Sequence, residues 1–167
     1  LRQGTAYGDP RSGYVQRAAI PNSPYRSQSA YVLVDAAGQP RFDPRPGTDA
    51  PGGAAANRLT GPEVTRIIDE ALGLSLAGRA QIRRPIGSRL QVTVSVVDTN
   101  GAVLGLARTP DAPIFGTDVA VQKARSAMFF SSREAGDELD GVAGVDSAAL
   151  LQALGTPLPG GLIPDRK

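Results

Sequence analysis

The sequence predicts an α/β (α+β) fold in which an antiparallel sheet is flanked by helices. Three stretches of its 167 residues carry that prediction. Residues 59–79 open with Thr60-Gly61-Pro62-Glu63 and continue with apolar residues at helical spacing. Residues 90–109 alternate in polarity about an Asn100-Gly101 turn. Residues 117–130 begin Thr117-Asp118 and run on as a helix of small apolar residues.

The first helix is the clearest element. In a capping box the Thr60 hydroxyl accepts from the Glu63 N–H, and Glu63 reaches back to the Thr60 N–H. Pro62 is tolerated in the first turn, where its missing donor has no partner to lose. Val64, Ile67, Ile68, Ala71 and Leu72 follow the i, i+3, i+4, i+7, i+8 rule for one buried face. Gly73 and Gly78 weaken the far end, which frays near Gly78. In the hairpin, Leu90, Val92, Val94 and Val96 share one face, and Gln91, Thr93, Ser95 and Val97 share the other. Asn-Gly is a strong hairpin signal. Ala102 to Thr109 is the returning strand. A loop with Pro110 and Pro113 then leads to the second helix, with Thr117 as its N-cap and Asp118 at the positive end of its dipole. Val121, Ala124 and Met128, with Ala120 and Ala127, form its close-packing face.

The remaining segments read as connection. Residues 1–29 are an extended N-terminal arm with little periodicity. Residues 30–58 are a short hairpin, with Tyr31–Val34 outward, a turn at Ala36–Gln39 and Arg41-Phe42 returning, followed by a Pro/Gly/Ala linker that reads as too irregular for core. Pro40 restricts the return to an edge or a strand start. Residues 59–155 form the main domain, with a last short helix from Asp146 to Leu154 stopped by Gly155. Residues 156–167 are an irregular tail. Two segments, VLVDAAGQPRF (32–42) and SVVDTNGAVLG (95–105), share a V-D-x-x-G turn.

Composition excludes several chemistries. There is no Cys, hence no disulfide, thiolate metal site or cysteine nucleophile. There is no His, which removes imidazole as general base or metal ligand and excludes a Ser-His-Asp hydrolase. The net charge is +2, and of the eighteen basic residues only Lys123 and Lys167 are lysine. No run of like charge is present to neutralise a phosphate backbone, so no nucleic-acid partner is expected. No apolar stretch approaches the ~18–20 residues of a membrane span. The chain begins Leu1-Arg2-Gln3 without an initiator Met, and is expected to be a fragment or a processed product.

Candidate ligand-binding residues cluster at the second helix. Arg108, Thr109, Asp111 and Thr117 surround a loop and a helix N-terminus, where free N–H groups and Arg108 can hold a carboxylate. The plainer alternative is a capped helix with a solvated Arg. Lys123 and Arg125, two residues apart, point to different faces. Phe115, Phe129, Phe130 and Met128 offer an apolar wall for a flat ligand, or ordinary packing. Asp98 reads as a turn residue that accepts from the backbone ahead of it. Tyr7, Tyr14, Tyr25 and Tyr31 are the only aromatic oxygen ligands for a ferric haem.

The stretch SVVDTNGAVLGLARTPDAPIFGTDVAVQKARSAMFF resembles the GlcG/HbpS-like haem-binding family, which is related to the C-terminal domain of PduO-type proteins. Its V-V-D-x-x-G turn falls on Val97, Asp98 and Gly101, and its strand-ending Arg on Arg108. The D-x-A-P loop falls on Asp111, Ala112 and Pro113, and the K-A-R-[TS]-A helix on Lys123 to Ala127. LTGPEVTRIIDEAL looks like the family's leading helix, so the resemblance covers about 59–130. It implies a profilin-like sheet and a non-catalytic small-ligand module, with haem or another tetrapyrrole as the cofactor-like ligand. Together with the cluster at the second helix, this leaves Arg108, Thr109, Asp111, Pro113, Phe115, Thr117, Asp118 and Lys123 as the expected ligand-binding residues, with none catalytic and none for a metal. The alternatives are an assembly subunit with a degenerate ligand site and a GlcG-like enzyme using Asp98, Arg108 or Lys123. Family haem binding often uses a His or another axial donor, and this chain has no His. The family also continues with late strands that this sequence only begins, at PGGLIPDRK. Either the hairpin 30–43 or another chain then completes the sheet, and a homo-oligomer is expected. The N-terminal section, GTAYGDP followed by AYVLVDAAGQPRFDPRPGTD, looks like that of long exported bacterial proteins, which implies the periplasm, the cell surface or the extracellular space.

Overall fold

The hairpin supplies the scaffold that the rest is built on. A computed structural model describes residues 4–6, 8–19, 22, 29–82, 84–132, 135 and 138. Strands β3 (Thr93–Val97) and β4 (Val103–Arg108) pair antiparallel from Thr93↔Arg108 to Val97↔Val103, with an irregularity between Val96 and Val97. Two further strands, β1 (Tyr14–Gln16) and β2 (Tyr31–Leu33), complete a four-stranded antiparallel sheet in the order β1-β2-β4-β3. Helices α1 (Gly61–Ala77) and α2 (Gly116–Ser131) accompany it. The expected α+β class with an antiparallel sheet and flanking helices is what the chain forms.

Helix α1 starts as its sequence dictates. Thr60 caps it, and Thr60 and Glu63 exchange side-chain and backbone hydrogen bonds in the full capping box. Its buried residues are Val64, Ile68 and Leu72, an i, i+4, i+8 row. Ile67 is 42% exposed and Ala71 half-buried, so the buried stripe is narrower than the spacing predicts. The row packs on the sheet face that carries Val15, Val32, Val94, Val96 and Ala107, and Leu104 joins the same core. Gly105 lies under it: a Cβ there would come within 2.7 Å of the Ile68 Cδ1 and 3.1 Å of the Val64 Cγ1, so the missing side chain is what lets α1 approach β4.

The opposite sheet face carries Thr93, Ser95, Leu106 and Arg108, matching the expected split of β3 into two faces. Helix α2 is tied to this side. The Ser95 hydroxyl donates to the Ala120 carbonyl at 2.9 Å, and the Tyr14 and Thr117 hydroxyls share a hydrogen bond at 3.1 Å. No residue of α2 is buried, so the close-packing face expected from Val121, Ala124 and Met128 is only half-covered and Ala127 is exposed. The chain divides into two compact units, Leu1–Phe129 and Phe130–Lys167. The expected short helix at 146–154, the tail 156–167, Tyr7 and Tyr25 fall outside the described residues.

Three expectations need correction. The arm 1–29 is not all connection: Tyr14–Gln16 forms edge strand β1, pairing Tyr14↔Leu33, Val15↔Val32 and Gln16↔Tyr31. Three residues are too few to show a period. Within the described residues, the sheet is therefore extended by this chain's own N-terminal strand and hairpin. Nor is 44–58 a free linker. The Leu106 N–H donates to the Phe42 carbonyl at 3.1 Å and the Arg45 N–H to the Leu104 carbonyl at 2.9 Å, so residues 42–45 run along β4 beyond β2. Pro44 and Pro46 lack the N–H groups that would make a regular ladder, which hides this pairing from pattern reading. Lastly, β3 begins at Thr93 rather than Leu90. Ahead of it the Thr109 N–H still donates to the Val92 carbonyl at 3.0 Å, and the Thr109 hydroxyl carries the link further, accepting from the Val92 N–H at 2.9 Å and donating to the Leu90 carbonyl at 3.0 Å.

The shared V-D-x-x-G turns are built alike. The Asp35 Oδ1 accepts from the N–H groups of Ala37 and Gln39, and the Asp98 Oδ1 from those of Asn100 and Ala102. In each, the glycine N–H donates to the aspartate carbonyl, and the glycine is left-handed, with φ of 76° at Gly38 and 74° at Gly101. Asn100 is not left-handed, so the second turn is wider than a two-residue Asn-Gly turn.

Candidate functional site

The loop from Thr109 to Thr117 is folded back onto the end of β4. Arg108 points from β4 to the α2 side and is completely buried. Its Nη2 donates to the Ala112 carbonyl, and its guanidinium carbon lies 4.3 Å from the centre of the Tyr14 ring. Tyr14 in turn reaches Thr117 through its hydroxyl. Residues from β1, β4, the loop and α2 thus meet at one buried cation. Its planar, delocalised charge suits it to stacking under an aromatic ring in a way an ammonium is not.

The structure brings part of the expected ligand set together in packing and hydrogen bonds within the chain. Arg108 is buried, not solvated as a capped-helix reading requires. Thr109 is also fully buried and spends its hydroxyl on Leu90 and Val92. Thr117 is not the N-cap: α2 begins at Gly116, the Thr117 N–H donates to the Ile114 carbonyl, and its hydroxyl meets Tyr14. Pro113 is half-buried in the loop. Asp111, Phe115, Asp118 and Lys123 are exposed. Phe115 is 73% exposed and Ile114 beside it 62%. The Val119 N–H donates to the Phe115 carbonyl, so Phe115, Val119 and Lys123 follow one another at i, i+4, i+8 along one helix face. Arg125 faces elsewhere and donates from Nε to the Gly101 carbonyl at 2.9 Å, which locks α2 to the β3–β4 turn. Lys123 and Arg125 therefore have the different roles their spacing predicts.

Asp98 sits in a reciprocal clasp. Its Oδ2 accepts from the Thr48 N–H at 2.7 Å and the Thr48 hydroxyl at 2.6 Å. The Oδ2 of neighbouring Asp49 accepts from the Thr99 N–H and hydroxyl, both at 2.9 Å. Burial pushes the Asp98 carboxyl up, but the hydrogen bonds from Thr48, Ala102 and Asn100 outweigh it and hold it below the ordinary carboxylate value. A carboxylate so satisfied is a poor proton acceptor at neutral pH. It also lies at the opposite end of β4 from Arg108, so the two form no common constellation.

A cleft of about 300 Å³ opens on the other side of the loop, between the end of α1 and residues 88–91. Leu76, Ser88, Arg89, Leu90, Gln91, Pro110 and Asp111 line it, so only Asp111 of the expected ligand set is present. Arg89 and Gln91 carried no signal in the sequence: they flank a strand start, and their convergence depends on how α1 ends. Among the described residues, no group of three or more His, Cys, Asp or Glu can hold a metal ion, and no helix is long and apolar enough to cross a membrane.

A family model described as "Haem degrading protein HbpS-like" matches residues 68–164, more than half of the chain. No curated protein and no solved structure matches it.

Proposed function

The chain belongs to the HbpS-like family, and on that premise we propose that it is a non-catalytic module holding a flat, carboxylate-bearing ligand of the tetrapyrrole class on the face of α2. The observation that carries this reading is the exposed row of Ile114, Phe115 and Val119 with Lys123 one turn further on. An apolar surface beside a single cation suits a planar ring with an acidic substituent.

Ligation of a haem by His, Cys or a described Tyr finds no donor here. The chain has neither His nor Cys. The Tyr14 hydroxyl is committed to Thr117 and its ring covers Arg108, while Tyr31 lies within the sheet opposite Arg108. We therefore place the ring by its faces and its carboxylates, and iron ligation by Met128 or Lys123 is the outcome that binding of the iron form alone would reveal. Asp98 is saturated by hydrogen bonds, Arg108 is buried and Lys123 is exposed on α2, which favours binding over catalysis.

Titration with iron protoporphyrin and with metal-free protoporphyrin separates these possibilities. Both are expected to bind saturably at micromolar protein and within about threefold of each other, and Phe115→Ser to weaken both about tenfold or more. Saturable binding of the iron form alone, or of neither, overturns the reading.

A second role in assembly is favoured by one observation: α2 buries none of its residues. We propose that a second copy covers the part of this helix that the ligand leaves open, in a homo-oligomer. Light scattering at micromolar concentration should give a mass above that of one chain, and a stable monomer removes this role. The exported setting, in the periplasm or at the cell surface, belongs to the same proposal and rests on the resemblance of the N-terminal section.

A further inference from the structure

We propose that the cleft at the end of α1 is a binding site for a small aliphatic zwitterion of the free α-amino-acid class, separate from the tetrapyrrole face. The cleft holds opposite charges that leave each other alone. Arg89 and Asp111 both line it, and no ion pair joins them. Among the described residues, no hydrogen bond or ion pair engages the side chain of Arg89, Gln91 or Asp111. A cation, a carboxylate and an amide without committed partners thus line one small space, together with Leu76, Leu90 and Pro110. At about 300 Å³ the space is at the small end of ligand cavities, which suits a single amino acid.

The rim is held in place before any ligand arrives. The Leu90 N–H donates to the Ser75 carbonyl at 3.3 Å, and the Ala80 N–H to the Ser88 carbonyl at 2.8 Å, which fastens residues 88–90 to the end of α1. Thr109 fastens Leu90 and Val92 to the end of β4. Asp111 is left-handed, with φ of 59°, a conformation that Asp and Asn tolerate best among residues with a side chain, and the Ala112 N–H closes the turn onto the Thr109 carbonyl at 3.3 Å. The charged groups thus stand on a fixed frame, which lowers the ordering cost of binding. In this arrangement Arg89 receives the ligand carboxylate, Asp111 its ammonium, and the leucines its aliphatic side chain.

The test uses the whole chain, labelled with ¹⁵N, and three probes: L-leucine, 4-methylpentanoic acid and 3-methylbutylamine. L-leucine is expected to give saturable shifts of the amide signals of residues 88–91 and 111–112. Each analogue, lacking one charge, should bind at least tenfold more weakly. Arg89→Gln and Asp111→Asn each remove one charge from an exposed side chain, and Asn keeps the left-handed turn accessible, so both should fold as the parent and lose at least tenfold in leucine affinity. Absence of saturable shifts with leucine, equal binding of either analogue, or parent-like binding by both variants overturns the proposal. Porphyrin binding is read separately on the same samples and is expected to be unchanged.

Discussion

Asp98→Ala is expected to lower the unfolding free energy by about 3 kcal/mol, because it strips the acceptor from four donors at once. Two are turn N–H groups, of Asn100 and Ala102; the other two are the N–H and hydroxyl of Thr48. Asp98 is buried, so the orphaned donors are not all rehydrated. Thr48→Ala removes one of these bonds and should cost about 1 kcal/mol. The two residues share a partner, so the double variant should cost less than the sum of the single ones. Urea unfolding at constant slope measures all three. A loss below about 0.5 kcal/mol in Asp98→Ala, the range of ordinary surface changes, refutes the clasp as a stabilising device.

The same residue predicts a pH dependence. The folded carboxyl titrates below its ordinary value of 3.8. The unfolded chain therefore takes up its proton first as the pH falls, and the stabilisation is complete above the ordinary value and lost as pH drops through the folded one. Asp9, held at about 2 by Arg11, and Glu63, held down by Thr60, titrate in the same acid range. The informative quantity is consequently the difference between parent and variant: the stability gap should close as the pH falls below about 4.

How much of this could be read in advance depends on which physical force sets each element. Helix α1 is legible because its start is written in side chains, Thr60 and Glu63, and its burial in the spacing of Val64, Ile68 and Leu72. Ile67 misleads because only the row of Val64, Ile68 and Leu72 is buried and the stripe beside it is left partly exposed. Strands β3 and β4 are legible through alternation. The strand β1 and the 42–45 segment are not, since they are held by backbone groups that every residue carries and by partners distant in sequence. The loop after β4 reads in the sequence as a place to hold a carboxylate, and its packing role is not written there. A charged residue before a proline loop reads as a surface ligand, and its burial becomes visible only when Tyr14, from the far end of the chain, is seen to cover it. The clasp is hidden in the same way: Thr48-Asp49 and Asp98-Thr99 look like two ordinary turns until the fold places them together.

Whether Arg108 serves the fold or a ligand can be decided by three substitutions. It is the largest fully buried side chain of the described residues. Arg108→Ala should cost about 3–5 kcal/mol, because it opens a cavity under the Tyr14 ring and leaves the Ala112 carbonyl without this donor. Arg108→Met fills most of that volume and removes the cost of keeping a charge from water. Hydrophobic replacement of buried charges is often tolerated, so it should recover more than half of the loss. Arg108→Lys keeps the charge but loses the planar group that stacks on Tyr14 and should be worse than Met. A ligand-binding arginine predicts the reverse order, with Lys the mildest change, and it predicts that binding falls while stability holds. The folded Met variant is therefore the discriminating protein. With Arg108 as the keystone between β1, β4 and the loop, its protoporphyrin affinity should stay within about twofold of the parent, since Phe115, Val119 and Lys123 remain in place. A tenfold loss of affinity in a Met variant of near-parent stability would return Arg108 to the binding surface, and with it the carboxylate site that the loop's sequence suggests.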